Sequence, residues 1–302
     1  MKSTWISGGP YILEFEKLVE KKFKTRHAFA VSNGTSALHL AFLAAGLKSG
    51  DEIIVPGYGY MAAANISKLM NLEVIFSDVN KETFCLDLEN LKKVISKKTR
   101  AVVTINTYGN VQDLDKIKKF LSKKKILFIE DAAESLGSKY KNKYAGTFGD
   151  FGTFSFHATK NIVTGEGGMV ITDNSKFAKN LALYRSHGVK RIRYKHYVHG
   201  HNFRLTNLQA AIGFAQLKNL SKITNKRNQI YKWYIEKINK KKISLQTISN
   251  NNKIIPWTFA LYFNKSVKFS RNVIMKKMDR NNIETRNGFY SADRLKIFIT
   301  KK

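Results

Sequence analysis

The chain has 302 residues, 43% hydrophobic and 12% aromatic, which is enough to bury a substantial core in one large domain with a smaller one beside it. No stretch approaches the roughly 20 apolar residues of a membrane span, and "MKSTWISGGPYILEF" lacks the apolar run of a signal peptide, so the expectation is a cytoplasmic protein with no membrane partner. The net charge of +31 comes from lysines scattered through every segment without a nucleic-acid motif, so a nucleic-acid partner is set aside and the basic surface is read as favouring anionic small substrates.

From Ala28 to about Thr172, short β-rich runs alternate with helix-like stretches, the pattern of an α/β domain with a mostly parallel sheet. The runs are Phe29–Val31, Glu52–Val55, Glu73–Phe76, Ala101–Ile105, Ile126–Ile129, Thr153–Phe156 and Met169–Thr172, seven strands for one sheet. Between the first two, Ser36 to Leu47 is apolar almost all round and predicts a buried helix. Cys85, the single cysteine, excludes an intramolecular disulfide and a multi-cysteine metal site and reads as a small packing residue. Leu217 to Ile238 carries apolar residues at helical spacing and predicts a helix leading out of the large domain. Beyond it the pattern predicts a strand at Trp257–Phe263, a helix near Asn272–Met278 and a short strand around "IETR". The expected division is residues 1–220 as the large domain and 221–302 as a smaller α+β domain.

Three positions carry chemistry. "VSNGTSALHL" puts Gly34, Thr35 and Ser36 between a strand and a helix start, where unpaired N–H groups, the helix dipole and two hydroxyls suit an anion; an ordinary N-cap explains the same residues equally well. "ILFIEDAAESLGSKY" places Asp131 at the carboxyl end of an apolar strand, where open α/β sheets bind ligands, and a buried carboxylate there needs either a protonated ring nitrogen or a helix start to cap. Lys160 stands apart from the charged lysine runs, between the strand "TFSF" and a turn with Gly165, Gly167 and Gly168. A phosphate cradle, a strand-end carboxylate and a lysine beyond another strand are the three anchors that pyridoxal 5′-phosphate (PLP) requires.

With "WISGGPYILEFE", "VSNGTSALHLAFLAAGLKSGDEIIVPGYGYMAAAN", "TRAVVTINTYGN", "FIEDAAESLGSKY", "GDFGTFSFHATKNIVTGEGGMV", "YRSHGV" and "HNFRLTNLQAAIGFAQL" in order, the chain resembles the DegT/DnrJ/EryC1/StrS family of PLP-dependent nucleotide-sugar aminotransferases, above all its perosamine synthase-like members. The resemblance implies the type I aminotransferase fold. It also implies transfer of an amino group from L-glutamate to a nucleotide-linked 4-keto-6-deoxy sugar, for surface polysaccharide assembly such as O-antigen. By motif, Lys160 becomes the Schiff-base and proton-transfer lysine and Asp131 the partner of the pyridine nitrogen. Gly34, Thr35 and Ser155 match phosphate-binding positions, Tyr60 the aromatic residue that stacks on the cofactor ring, and Glu134 a polar position near its 3′ oxygen. Asn202 matches a residue that reaches the phosphate from the neighbouring subunit, which implies a homodimer with shared sites. A dehydratase sub-branch carries histidine in place of the lysine, and Lys160 argues against it.

His187, Arg204 and Arg286 are candidates for facing the sugar or its diphosphate, with structural hydrogen bonding an equal alternative. His196, His199 and His201 lack the spacing and acidic or cysteine company of a metal site and read as surface or substrate-loop residues, so no metal is expected. Compared with the family, the chain lacks a leading helical segment and stops soon after "FYSADRLKIFITKK", so the small domain is expected to be incomplete. That departure motivates a second reading, a catalytically inactive PLP-fold protein acting as a binding or regulatory module.

Overall fold

The computed structural model describes residues 4–299. Seven strands form one sheet: β1 (His27–Val31), β2 (Glu52–Pro56), β3 (Glu73–Ser77), β4 (Thr99–Ile105), β5 (Leu127–Asp131), β8 (Phe151–Ser155) and β9 (Gly168–Thr172), with two short pairing segments, β6 (Lys139–Tyr140) and β7 (Lys143–Tyr144), between β5 and β8. The order across the sheet is β1-β9-β8-β5-β4-β2-β3, and only β9 runs against its neighbours. All seven predicted runs fall in this sheet, displaced by at most two residues at either end.

Both faces of the sheet are covered, and the two-residue period of each strand assigns its side chains. Ile53, Val55, Ala101, Val103, Ile129 and Val170 join one core with the helices α2 (Gly34–Ala45), α3 (Ala62–Leu69) and α6 (Ser175–Arg185). Their neighbours Ile54, Val102 and Phe128 point the other way, to α4 (Leu88–Val94) and α5 (Leu114–Lys123), while Ala30, Phe154, Met169 and Ile171 meet α1 (Pro10–Phe23) and α7 (Asn207–Lys218). Helix α2 is buried on nearly every side, as its composition predicts. It starts two residues earlier than expected because the Asn33 side chain caps it, accepting from the Ser36 N–H at 2.7 Å. It ends on Gly46, whose φ of 77° is the left-handed conformation that closes helices.

Three expectations need correction. Leu217 to Ile238 is not one helix: α7 ends at Lys218 and α8 (Leu220–Lys237) starts after Asn219, which breaks the axis although the apolar spacing runs through. The strand expected at Trp257–Phe263 shrinks to β12 (Leu261–Phe263), paired antiparallel with β10 (Ile243–Leu245). "IETR" forms no strand: it is mostly exposed and pairs with no strand among the described residues. Helix α9 (Arg271–Asp279) matches expectation, whereas α1 is absent from the predicted elements, its first residues entering only through the motif "WISGGPYILEFE".

The chain after residue 220 returns to the sheet. β11 (Asn252–Lys253) pairs with β6, Ile255 is buried among the sheet's connections, and the Ala292 N–H donates to the Gly57 carbonyl at 2.8 Å.

Candidate active site

Strands β1, β2, β4, β5 and β8 all point the same way, so the loops after them converge on one edge of the sheet, where open α/β folds bind ligands. A cleft of about 3610 Å³ opens there, bounded on the far side by the segment after residue 220. Gly34, Thr35, Tyr60, Asp131, Glu134, Ser155, Lys160 and Arg286 line it.

Lys160 sits in the β8–β9 connection, its side chain 14% exposed. Its Nζ lies 3.9 Å from Glu134 Oε1 and 3.6 Å from the centre of the Trp257 ring. Burial pulls the ammonium below its ordinary pKa, and the Glu134 and Asp131 carboxylates oppose the shift. Glu134 is buried and accepts the Tyr108 N–H at 2.8 Å through its other oxygen. Burial pushes its pKa up to about 7, against the pull of Lys160 and of that N–H. Asp131 ends β5; burial raises its pKa to about 6, while the Ala133 N–H, 3.0 Å from Oδ1, and the Lys160 charge act in the opposite direction.

At the start of α2, Asn33 takes the Ser36 and Ala37 amides, and helix geometry leaves the Gly34 and Thr35 amides without intrahelical acceptors. Gly34 presses on the end of β8, so that a Cβ there would stand 2.9 Å from the Ser155 Cβ. The result is a close-walled corner of amides and hydroxyls at the positive end of a twelve-residue helix, suited to a phosphate. Tyr60 is 61% exposed at the mouth, touched edge-on by Phe289 at 6.3 Å. An anion corner, a strand-end carboxylate and a half-buried amine within one cleft fit the donor set PLP needs.

Asp131 is legible as a polar residue ending an apolar strand, and Glu134 only through the family resemblance. The aromatic wall is not. Tyr108, Trp257 and Phe289 lie nearly parallel, with Tyr108 and Phe289 5.3 Å apart at 3°, and Tyr58 donates to or accepts from the Tyr108 hydroxyl at 2.9 Å. Tyr108 adopts φ 59°, a left-handed conformation costly for a bulky residue, which aims its amide at Glu134. Gly109 follows at φ 95°, where a Cβ would collide with the Ile255 carbonyl. The "TYG" triplet was the available signal.

Three other candidates lie elsewhere. His187, Asn202 and Arg204 do not line the cleft of their own chain. They cluster on the exposed loop after α6, Arg204 donating to Asn202 Oδ1 at 3.0 Å and to Ser186 Oγ at 3.3 Å, with His187 Nε2 3.4 Å from its guanidinium. His196 donates to the His187 carbonyl, and His201 stacks on Phe203 at 4.6 Å. Arg286 does line the cleft but is exposed and paired with Glu284 at 3.1 Å.

The profile of the DegT/DnrJ/EryC1/StrS aminotransferase family matches residues 1–302. The chain belongs to that family. It is 37% identical over 308 residues to a GDP-perosamine synthase of Escherichia coli O157:H7, covering all of this chain and 82% of that one. Among solved structures it is similar to Helicobacter pylori PseC, an aminotransferase involved in the biosynthesis of pseudoaminic acid, with a TM-score of 0.91, 27% identity and coverage of 98% and 81% of the two chains. It is also similar to the E. coli GDP-4-keto-6-deoxy-D-mannose-3-dehydratase with bound hydrated PLP, with a TM-score of 0.85, 29% identity and coverage of 92% and 78%. The family member described here has the type I aminotransferase fold, and its cofactor is PLP. Among its described residues no helix is long and apolar enough to cross a membrane.

Proposed function

We propose that this PLP-dependent aminotransferase moves an amino group from L-glutamate to the keto carbon of a nucleotide-linked 4-keto-6-deoxy sugar, in the cytoplasm, for surface polysaccharide assembly. The observation that carries the reading is the half-buried Lys160 amine set between Glu134 and Trp257 beyond the strand ends. The relatives named GDP-perosamine synthase support a GDP-linked sugar as the first substrate to try.

The cofactor supplies an electron-accepting ring that carries the amino group from donor to acceptor. Lys160 Nζ would hold it and move protons, a role that suits an amine whose pKa burial has lowered. Asp131 would keep a proton on the ring nitrogen; that positive partner would return the carboxylate to its charged form. Gly34, Thr35 and Ser155 would bind the phosphate, Tyr60 would cover the ring, and Glu134 would orient both the ring oxygen and Lys160. Asn202 would serve the phosphate of the neighbouring subunit in a homodimer, which its position outside its own cleft supports. His187 and Arg204 would reach the substrate from that same loop, and Arg286 from the mouth of its own cleft. We also read residues 1–220 as the cofactor-binding domain and 221–302 as a small domain; the sparse burial after 220 supports this.

The test is borohydride reduction of the PLP-loaded protein, followed by mass spectrometry of products from a panel of keto-sugars with glutamate. The label should fall on the Lys160 peptide, and an amino sugar should form. A label on another lysine, or no amino sugar from any member of the panel, refutes the reading. For the shared site, Lys160→Ala and Asn202→Ala homodimers should each be impaired, and subunit exchange should partly restore activity through the one intact site of the mixed dimer. No recovery despite verified exchange would place Asn202 within its own chain's function.

A further inference from the structure

The Lys160 ammonium rests on a ring face, with its nearest carboxylate at ion-pair distance but outside hydrogen-bond reach. Glu134 stands 3.9 Å from Nζ, beyond hydrogen-bond reach, whereas the Trp257 centroid is 3.6 Å away. The indole is itself pinned to the lysine's own loop: its Nε1–H donates to the Thr159 carbonyl at 2.8 Å. Arg227 of α8 clamps the same junction, donating to the carbonyls of Lys160 at 3.1 Å and Trp257 at 3.1 Å. Trp257 and Lys160 are therefore held together from both sides, although they stand 97 positions apart in the sequence.

We propose that Trp257 is a positioning residue for the reacting amine, its ring face forming the seat on which the charged Lys160 ammonium rests whenever the lysine is not bonded to the cofactor. The inference rests on the reading of Lys160 as that amine. A lysine that must alternately hold and release a proton is poorly served by a tight ion pair, which would trap it in the charged form. A ring face attracts the cation through its quadrupole yet offers no proton acceptor, so the amine can leave it at little cost. The groups that bear on the charge of Lys160 are Asp131 at the end of β5, Glu134 in the turn after it, Arg227 of α8 at the lysine's carbonyl, and Tyr108, whose amide engages Glu134. The seat comes from the segment after residue 220, so docking of that segment and placement of the amine are one event.

The experiment measures the pH midpoint at which Lys160 becomes reactive, in full-length protein freed of cofactor, from acetylation of its peptide after a brief pulse of acetic anhydride. Trp257→Leu keeps the apolar wall but removes the π face, so the midpoint should fall by about half a unit to one unit, and Trp257→Phe should recover part of the shift. An unchanged or raised midpoint in folded Trp257→Leu overturns the proposal. Should that variant fail to fold, progressively ring-fluorinated tryptophan in the unmutated chain decides. The midpoint should then fall with each added fluorine, and a flat series overturns the proposal. Trp5 and Trp233 would also be replaced, but the readout belongs to the Lys160 peptide alone. Failure of the reading itself would appear separately, as borohydride label on a lysine other than Lys160.

Discussion

The sheet-bearing part of the chain and the part after residue 220 are built on different terms. In the first, strands are covered on both faces and side chains such as Phe42, Phe151 and Phe154 are inaccessible. In the second, only Thr224, Ile255, Pro256 and Ala292 are buried among the described residues, and Ile230, Trp233 and Tyr234 of α8 are substantially exposed. Yet the weakly packed part delivers Trp257, Arg227 and Phe289 to the amine and its surroundings. A well-buried sheet edge fixes the carboxylates and the anion corner, while a sparsely buried segment bounds them on the far side, the distribution expected where substrate must enter and leave.

Removing the chemistry from the sheet-bearing part should have the largest effect. Lys160→Ala should cut amino transfer by on the order of a thousandfold or more, with no borohydride label, since both proton transfer and attachment are lost. Asp131→Asn should retain cofactor, seen in its absorbance, but lose most activity because a neutral ring accepts electrons poorly. Full activity in that variant would make Asp131 a cap for the turn that follows and nothing more.

Stability comparisons sharpen the contrast. Phe154→Ala, which empties a core position between β8 and α1, should cost about 3–5 kcal/mol, read as a lower urea midpoint at constant slope. Val273→Ala on exposed α9 should stay within about 0.5 kcal/mol. Equal losses at the two positions would mean that the two regions unfold as one unit with comparable packing.

The buried carboxylates make stability depend on pH. For Glu134, raised by burial from 4.5 to about 7, the folded state binds more protons than the unfolded chain between those values. Stability of the cofactor-free protein should therefore be fullest below about pH 4.5 as far as this group is concerned, and fall as pH rises toward 7, by on the order of 2–3 kcal/mol. Asp131 adds the same sign between 3.8 and about 6. Lys160, whose pKa is lowered, acts at higher pH, where stability recovers as the unfolded chain's lysine also loses its proton. Glu134→Gln should flatten the fall between pH 4.5 and 7, measured by urea melts across that range. The smallest effect is kinetic: amides of β10 and β12 should exchange with deuterium well before those of β4 and β5.

The sequence by itself determined the sheet, its buried helix and the polar residues at its edge. Alternation in runs such as "AVVTI" and "EIIV" commits side chains to two opposite cores, and a polar residue ending an apolar run has one place to go. Local rules also explain the errors. The α7–α8 break falls at Asn219, whose N–H turns back to the Gln216 and Leu217 carbonyls without interrupting the apolar spacing, and "IETR" meets β-propensity without pairing with any described strand. Tertiary structure alone decided the aromatic wall. Trp257 lies 97 residues from Lys160 and Phe289 lies 181 from Tyr108, and no periodicity in either segment encodes that meeting. The backbone of Tyr108 turns into a left-handed conformation, β11 pairs with β6 and Arg227 bridges two loops. Those long-range contacts place the rings, because side-chain direction across such distances is fixed by what the backbone packs against.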